Sequence, residues 1–455
     1  MSRAEGTPVV VMGERVLGDV ELVLLGILPS DHVLGHDVAP PPAGGDLAPA
    51  AVPPRAALPL DPQAAAAALE AGRLLLVDEE QTPIASLVEL TELAGAPANA
   101  PVLVGELHRE RHRESGSGRA HRLDETDLAR PWPAVLVLAR PMTDTETLPD
   151  LGADGELLVL VPDDASATDG VPTSTMLTLA LEAVTGHPAQ VRTAPLRWRG
   201  AASDAALRDR LALALGTERV DLRHPDPAVD PSAPAWVRAR RALEESVDDT
   251  PVAGLAPSVE APLRRWRPAR PHRGVAVMFT GLSGSGKSTL ARAVRDRVTA
   301  DTTRTVSLLD GDVVRHLLSS GLGFDRASRI MNVRRIGFVA AEVARHGGMA
   351  LCAPIAPYES VRADVARMVG EVGDFILVYV STPLAECERR DLKGLYAAAR
   401  AGRIPEFTGI SDPYDEPVDA DVVVDTSTIS IEEGTERVLR FLADGGWIGK
   451  KTDDH

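Results

Sequence analysis

The chain has 455 residues, and at roughly 100–200 residues per domain that length calls for two or three domains. Hydrophobic residues make up 44% and charged residues 25%, as in water-soluble globular proteins, while aromatics at 3% leave the cores to Ala, Val and Leu. With 66 acidic and 48 basic residues the net charge is −18, which argues against sequence-blind binding to nucleic acid or anionic membrane but not against a local basic pocket for a small anion.

In chain order, the short apolar run Val20–Leu28 carries Glu21 and predicts a buried strand, not a signal peptide or a membrane span. Residues 39–60 are rich in Pro and Ala and predict a loop. Arg73–Asp78 predicts a strand, residues 79–83 a turn and Ile84–Leu90 a return strand. Residues 107–123 are charged and predict surface. His108 and His112 flank Glu110 there at metal-ligand spacing, but Arg109, Arg111 and Arg113 repel cations, so solvated charge is the better reading. Ala134–Ala139 and Glu156–Val161 predict strands and Ser174–Val184 a helix. A second Pro-rich stretch, residues 225–273, holds a candidate helix at Ala235–Glu245, and the main boundary is expected near residue 270.

After Gly274 short apolar runs alternate with helical patterns. The expected strands are Val275–Thr280, Thr305–Leu309, Met349–Pro354, Phe375–Val380 and Asp421–Val424. The expected helices are Lys287–Val298, Asn332–His346, Glu359–Val369, Leu384–Arg389 and Ile431–Leu442. Such alternation predicts an α/β domain with a parallel sheet and helices on both faces, which binds ligands beyond the carboxyl ends of its strands. The two cysteines, Cys352 and Cys387, are too few for a disulfide framework, and a cytoplasmic protein is expected.

The most specific signal is Gly281-Leu282-Ser283-Gly284-Ser285-Gly286-Lys287-Ser288-Thr289, which matches G-x-x-x-x-G-K-S/T between a predicted strand and a predicted helix. Glycines let the backbone N–H groups converge on phosphate, and the helix N-terminus adds a favourable dipole. Lys287 supplies a charge for the β- and γ-phosphates, and the Ser288 hydroxyl suits Mg²⁺. ATP and Mg²⁺ are the expected cofactors.

The motif does not name the acceptor. Asp310-Gly311-Asp312, followed by Arg315, ends the second predicted strand of this region. Its acids suit a base or metal-linked role, although Asp also caps helices. Leu322-Gly323-Phe324 is followed by Arg329, Asn332, Arg334 and Arg335, which suit capture of a second anion or form a solvated helix face. Residues 393–410 lack a clean period and read as a lid that keeps water from the nucleotide. Phe324 and Phe407 stand in loop-like contexts and read as base-stacking rings or as core.

These segments together resemble the adenylylsulfate kinase family. The carrying motifs are GLSGSGKST (281–289), LDGDVVR (309–315), LGF (322–324), NVRRIGFVA (332–340), PIAPY (354–358), the KGLY of 393–396, FTGI (407–410) and VVVDT (422–426). The resemblance implies a P-loop kinase fold that moves the ATP γ-phosphate to the 3′-hydroxyl of adenosine 5′-phosphosulfate. On it Asp312, Lys287 and Asp310 are catalytic. The nucleotide side is Gly281, Ser283, Gly284, Ser285, Gly286, Lys287, Ser288, Thr289 and Arg390, with Ser288 on Mg²⁺. The acceptor side is Arg315, Phe324, Arg329, Asn332, Ile355, Lys393, Leu395 and Phe407. Ala356 stands where the family usually has Ser, so no phosphoserine forms there, and Leu392 replaces a family proline in the lid. The resemblance also implies a homodimer.

Residues 70–220 resemble the N-terminal part of an ATP sulfurylase more weakly, through the 78–85 turn and Asp169-Gly170-Val171-Pro172. Arg140 and Pro141 match that family's adenylyl-transfer segment, but its histidines are missing, so a degenerate, inactive domain is expected. The expected organisation is a small β-rich domain over 1–130, a degenerate α/β segment over 131–230, a linker over 231–272 and the kinase domain over 273–445. The fold class is α/β, preceded by an α+β sulfurylase-like region. The alternatives are a nucleotide-binding regulatory subunit partnering an ATP sulfurylase, or another P-loop small-molecule kinase.

Overall fold

The computed structural model describes residues 7–12, 14–24, 34, 54–78, 80–97, 99–110, 123, 127, 130–163, 168–196, 211–212, 214–217, 219–391 and 393–449; within these, the side chains at Glu14, Arg15, Gly18, Asp312, Val313 and Arg315 lie outside the description. The chain divides into two units, one of Met1–Arg240 with Val252–Trp266, the other of Arg241–Pro251 with Arg267–His455.

The first unit carries two sheets. Strands β1 (Val9–Val11), β2 (Arg55–Pro59), β3 (Arg73–Val77), β4 (Pro83–Glu92) and β5 (Val102–Arg109) form one, in the order β1-β3-β4-β5-β2. The other, β8-β7-β6-β9, is wholly parallel and comprises β6 (Ala134–Leu138), β7 (Glu156–Pro162), β8 (Gln190–Leu196) and β9 (Val220–Arg223). The first unit also contains helices α1 (Glu14–Leu24), α2 (Pro62–Ala71), α3 (Thr173–Val184), α4 (Ala233–Glu245) and α5 (Pro257–Trp266), the residues of α4 being divided between the two units.

Four expectations change here. The run expected as a strand at Val20–Leu28 is helical as far as Leu24, the rest lying outside the described residues; Leu17, Val20 and Val23 recur at helical spacing and are buried, a pattern visible only from upstream of the run. Within the expected loop 39–60, Arg55–Pro59 pairs antiparallel with β5, while residues 39–53 lie outside the described residues. In the charged stretch 107–123, Leu107 is buried in β5, where His108 also sits; His112 lies outside the described residues. Helix α5 arises inside the expected linker, with Pro257 at its first position, where a missing N–H costs nothing, and a Glu260–Arg264 pair at 3.1 Å.

The second unit is built on one parallel sheet in the order β11-β12-β10-β13-β14. Its strands are β10 (Val275–Thr280), β11 (Val306–Asp310), β12 (Met349–Ala353), β13 (Asp374–Val380) and β14 (Val422–Val424). Around it lie α6 (Lys287–Asp301), α7 (Gly311–Leu317), α8 (Arg326–Arg345), α9 (Glu359–Gly370), α10 (Leu384–Arg390), α11 (Leu395–Arg400) and α12 (Ile431–Asp444). Alternate residues of the fully buried β10 point to opposite faces. Val275, Val277 and Phe279 pack with Leu290 and Val294 of α6 and Val438 and Leu442 of α12. Ala276 and Met278 pack with Ile336 and Ala340 of α8 and Val361 and Val365 of α9. Two-sided burial explains why β10 reads as a continuous apolar run, and the central place of β10 puts the loop that follows it at the carboxyl edge of the sheet.

Candidate active site

The loop after β10 opens at Gly281, whose φ is +148°; a Cβ there would sit 2.4 Å from the Val380 carbonyl oxygen, so only glycine fits. Gly286, at φ +99°, caps α6 and turns that helix's N-terminus onto the loop. Three successive loop carbonyls are held from outside. The Tyr396 hydroxyl donates to Ser283 O at 2.8 Å, Arg390 to Gly284 O at 3.4 Å, and Thr382 and Thr426 to Ser285 O at 3.0 and 2.9 Å. Arg390 also bonds the hydroxyl and the carbonyl of Thr426, both at 2.8 Å. Thus Arg390, expected on the nucleotide side, braces the loop, while no role was foreseen for Tyr396, Thr382 and Thr426, which stand in the KGLY, VYVSTPL (378–384) and VVVDT segments of the family resemblance.

Lys287 is buried, and its Nζ donates to Leu282 O at 2.6 Å, so the ammonium lies folded over the loop it follows. Thr289 is exposed on the first turn of α6. The Ser288 hydroxyl donates to Asp310 Oδ1 at 3.3 Å, which brings two motifs 22 residues apart to one point. Arg292, one turn beyond Ser288, pairs with the other Asp310 oxygen at 2.5 Å. A hydroxyl and a carboxylate beside a phosphate loop are hard oxygen donors and fit Mg²⁺. Asp312 and Arg315 lie on α7 directly after Asp310; their side chains lie outside the described residues.

Among the residues expected on the acceptor side, Arg329 is a hub. Its Nε donates to Phe324 O at 2.7 Å, one terminal nitrogen to Asp412 at 2.5 Å and Thr408 at 3.1 Å, and the other to Glu406 O. Asn332 lies one turn along α8, 7% exposed, and its Oδ1 has no protein partner among the described residues, so a buried acceptor stands ready for a donor. Phe324 is exposed at 66%, whereas Phe407 is buried and meets Tyr396 edge-on at 5.0 Å between centroids. Ile355 is half-buried, and its carbonyl accepts from Thr280 Oγ1 at 2.7 Å, which fastens the PIAPY turn to β10. Ala356 in that turn takes φ +46°.

The stretch expected to lack a period, 393–410, contains α11, and Tyr396, Ala399 and Phe407 form a small apolar cluster with Cys387. Lys393 is exposed and Leu395 half-buried at its start. Arg334 and Arg335 do not converge on the site: Arg334 pairs with Asp364 at 2.6 Å and Arg335 donates to Leu318 O at 2.7 Å.

A five-stranded parallel sheet whose central strand ends in a glycine loop, with lysine, serine and a neighbouring strand-end aspartate around it, defines a P-loop kinase. Comparison with known proteins narrows this. The sequence model of adenylylsulphate kinase matches residues 273–425. The adenylyl-sulfate kinase of a Picosynechococcus strain is 46% identical over 177 residues, 39% of this chain and 98% of that protein. The sulfate adenylyltransferase of Neurospora crassa is 42% identical over 194 residues, 43% of this chain and 34% of that longer protein. A solved structure of a hexameric APS kinase from Thiobacillus denitrificans matches 98% of this chain and 95% of its own, with a TM-score of 0.64 at 24% identity, a likeness of fold across both units. The chain belongs to the adenylylsulfate kinase family.

Proposed function

We propose that the second unit transfers the γ-phosphate of ATP to the 3′-hydroxyl of adenosine 5′-phosphosulfate, giving 3′-phosphoadenosine 5′-phosphosulfate. The observation that carries this is the meeting of Lys287, Ser288 and Asp310 at the loop, on the same unit as the Arg329–Asn332 face of α8. On this reading the loop amides and Lys287 hold the triphosphate, and Ser288 with Asp310 would hold Mg²⁺, which when bound neutralises charge on the transferred group. Asp312 accepts the 3′-hydroxyl proton and aligns that oxygen for in-line attack. Phe324 and Phe407 flank the acceptor's adenine, Asn332 Oδ1 accepts a hydrogen bond from it, and Arg315 and Lys393 supply positive charge for its phosphosulfate. Ile355 and Leu395 line the acceptor cavity. Purified chain, labelled ATP, Mg²⁺ and adenosine 5′-phosphosulfate should yield the doubly phosphorylated product; no acceptor-dependent product would reject the reading.

The first unit is a sulfurylase-like domain without adenylyl-transfer activity. What supports this is Arg140: fully buried, it is engaged by Glu146 at 2.7 Å and Asp230 at 2.8 Å, so its charge is answered inside the protein. Sulfate-dependent exchange of pyrophosphate into ATP should be absent, and any such exchange removes this reading. No helix among the described residues is long and apolar enough to cross a membrane, and a cytoplasmic location is the reading that goes with this chemistry.

The assembly we favour is a homodimer through α8. Met331 and Phe338 are exposed at 42% and 62% and stand seven residues apart on one helix face, with Arg335 and Glu342 on either side of Phe338. Antiparallel packing of two α8 helices about a two-fold axis beside Phe338 sets Arg335 of one copy opposite Glu342 of the other.

A further inference from the structure

We propose that Asp412 is a positioning residue which, acting through Arg329, fixes the spacing of the two aromatic walls of the acceptor site; the inference rests on the kinase reading above. One planar guanidinium is bonded to the carbonyl of Phe324, to the carbonyl of Glu406 and to the hydroxyl of Thr408. The first is the backbone of one ring-bearing residue, and the other two belong to the immediate neighbours of the second, Phe407. A rigid fork of donors thus spans both walls.

Asp412 orients that fork. Its Oδ2 accepts from Arg329 at 2.5 Å and from the Tyr358 hydroxyl at 2.8 Å. Tyr358 is buried, with the Arg326 guanidinium 4.4 Å from its ring centre. Burial, then Asp412 itself, push the Tyr358 hydroxyl up to about 12, so it remains a donor at neutral pH. The carboxylate is also held to the second wall through the main chain, since Asp412 N donates to Phe407 O at 3.1 Å and Gly409 N to Asp412 O at 2.8 Å.

The side chains of Arg329 and Asp412 are each 10% exposed. Removing one charge from so buried a pair leaves the other uncompensated, and the guanidinium loses the orientation in which it spans the two walls. The pair is also close to neutral as a unit. Arg329 therefore contributes geometry more than net attraction, and gripping the phosphosulfate falls to cations outside the pair.

The test compares Asp412→Asn and Tyr358→Phe with the unaltered full chain, reading kcat, the KM of each substrate, and binding of adenosine 5′-phosphosulfate by calorimetry in the presence of ADP. For Asp412→Asn the acceptor KM and Kd should rise about tenfold while kcat and the KM for ATP stay within about threefold. Tyr358→Phe should move the acceptor values the same way, by about threefold. Should Asp412→Asn fail to fold, as judged by thermal unfolding, Tyr358→Phe carries the test alone. An unaltered acceptor KM in a folded variant, or equal losses for both substrates, overturns the positioning role and leaves the kinase reading intact. Failure of the unaltered chain to bind or turn over the acceptor overturns both.

Discussion

The hydroxyl of Tyr396 donates to the carbonyl of Ser283 at 2.8 Å, tying the phosphate loop to a helix 113 residues further along the chain. The same ring packs against Phe407, so one side chain touches both the phosphate loop and the ring proposed above as an acceptor wall. Tyr396→Phe keeps the ring contact and deletes the bond. Losing one such bond costs about 1 kcal/mol, and the KM for ATP should rise roughly fivefold with the acceptor KM little changed. An unchanged KM for ATP would show that the loop holds its shape without this brace.

Lys287 is folded onto its own loop through Leu282 O, and a nucleotide phosphate would take that bond over. Lys287→Ala should lower kcat by about 10²–10³-fold. Asp312→Asn should lose most turnover yet retain ATP affinity, because the mechanism proposed above confines its task to the acceptor hydroxyl. Retained turnover in either variant, measured with saturating ATP and acceptor, removes that residue from the role given to it.

Local chemistry was the readable part of this protein. The glycine loop, the apolar β10 and the helical face of Ile336 and Ala340 are each written within a dozen residues, and each lies where its pattern places it. Misreadings arose where a pattern was cut short or a breaker was overweighted. The strand expected at Val20–Leu28 lost its helical period because it was read without Leu17, and α5 was hidden by Pro257 and Pro262. Long-range partners left no local trace at all. Arg329 suggests an anion grip on α8, but its partner Asp412 lies 83 residues away, so the internal claim on that guanidinium becomes visible only when the chain is folded. The same holds for Arg292, whose i+4 relation to Ser288 is local but whose attraction to Asp310 is not.

The exposed face of α8 gives a prediction about assembly. Phe338 at 62% exposure is a large apolar side chain two turns from Met331 on the same helix face, and the dimer proposed above covers both. Phe338→Glu would set like charges on either side of the proposed two-fold axis. Light scattering after size exclusion should show the parent chain at twice or a larger multiple of the protomer mass, and the variant in a smaller species. A parent chain that runs as a monomer, or a variant of unchanged mass, rejects α8 as the interface.

The buried cluster around Arg140 makes the stability of the first unit depend on pH in a defined direction. Glu146 accepts from Arg140 at 2.8 and 2.7 Å, from the Thr143 amide at 2.8 Å and from the Thr143 hydroxyl at 2.9 Å. Burial alone would raise its carboxyl, but Arg140 and Thr143 outweigh burial and hold it down to about 2. The Asp230 carboxyl is lowered as well, burial being outweighed by Ser232 and Arg140. A depressed folded value means the unfolded chain takes up protons first as pH falls. The stabilisation is therefore complete above about pH 4.5 and fades as pH drops toward about 2. Its upper bound is about 3 kcal/mol for Glu146. Four of the five tryptophans, Trp132, Trp198, Trp236 and Trp266, fall within this unit and Trp447 within the other, so in a Trp447→Phe background tryptophan fluorescence follows its unfolding. The urea midpoint of that transition should fall between pH 5 and pH 3 (a window set by the carboxyl reference values). Glu146→Gln should lower it already at pH 7, by leaving Arg140 with Asp230 as its remaining acidic partner in the cluster, and should flatten the dependence on acid. A parent midpoint that is flat over this range would mean that the charges of the cluster are as well solvated in the unfolded chain as they are paired in the folded one.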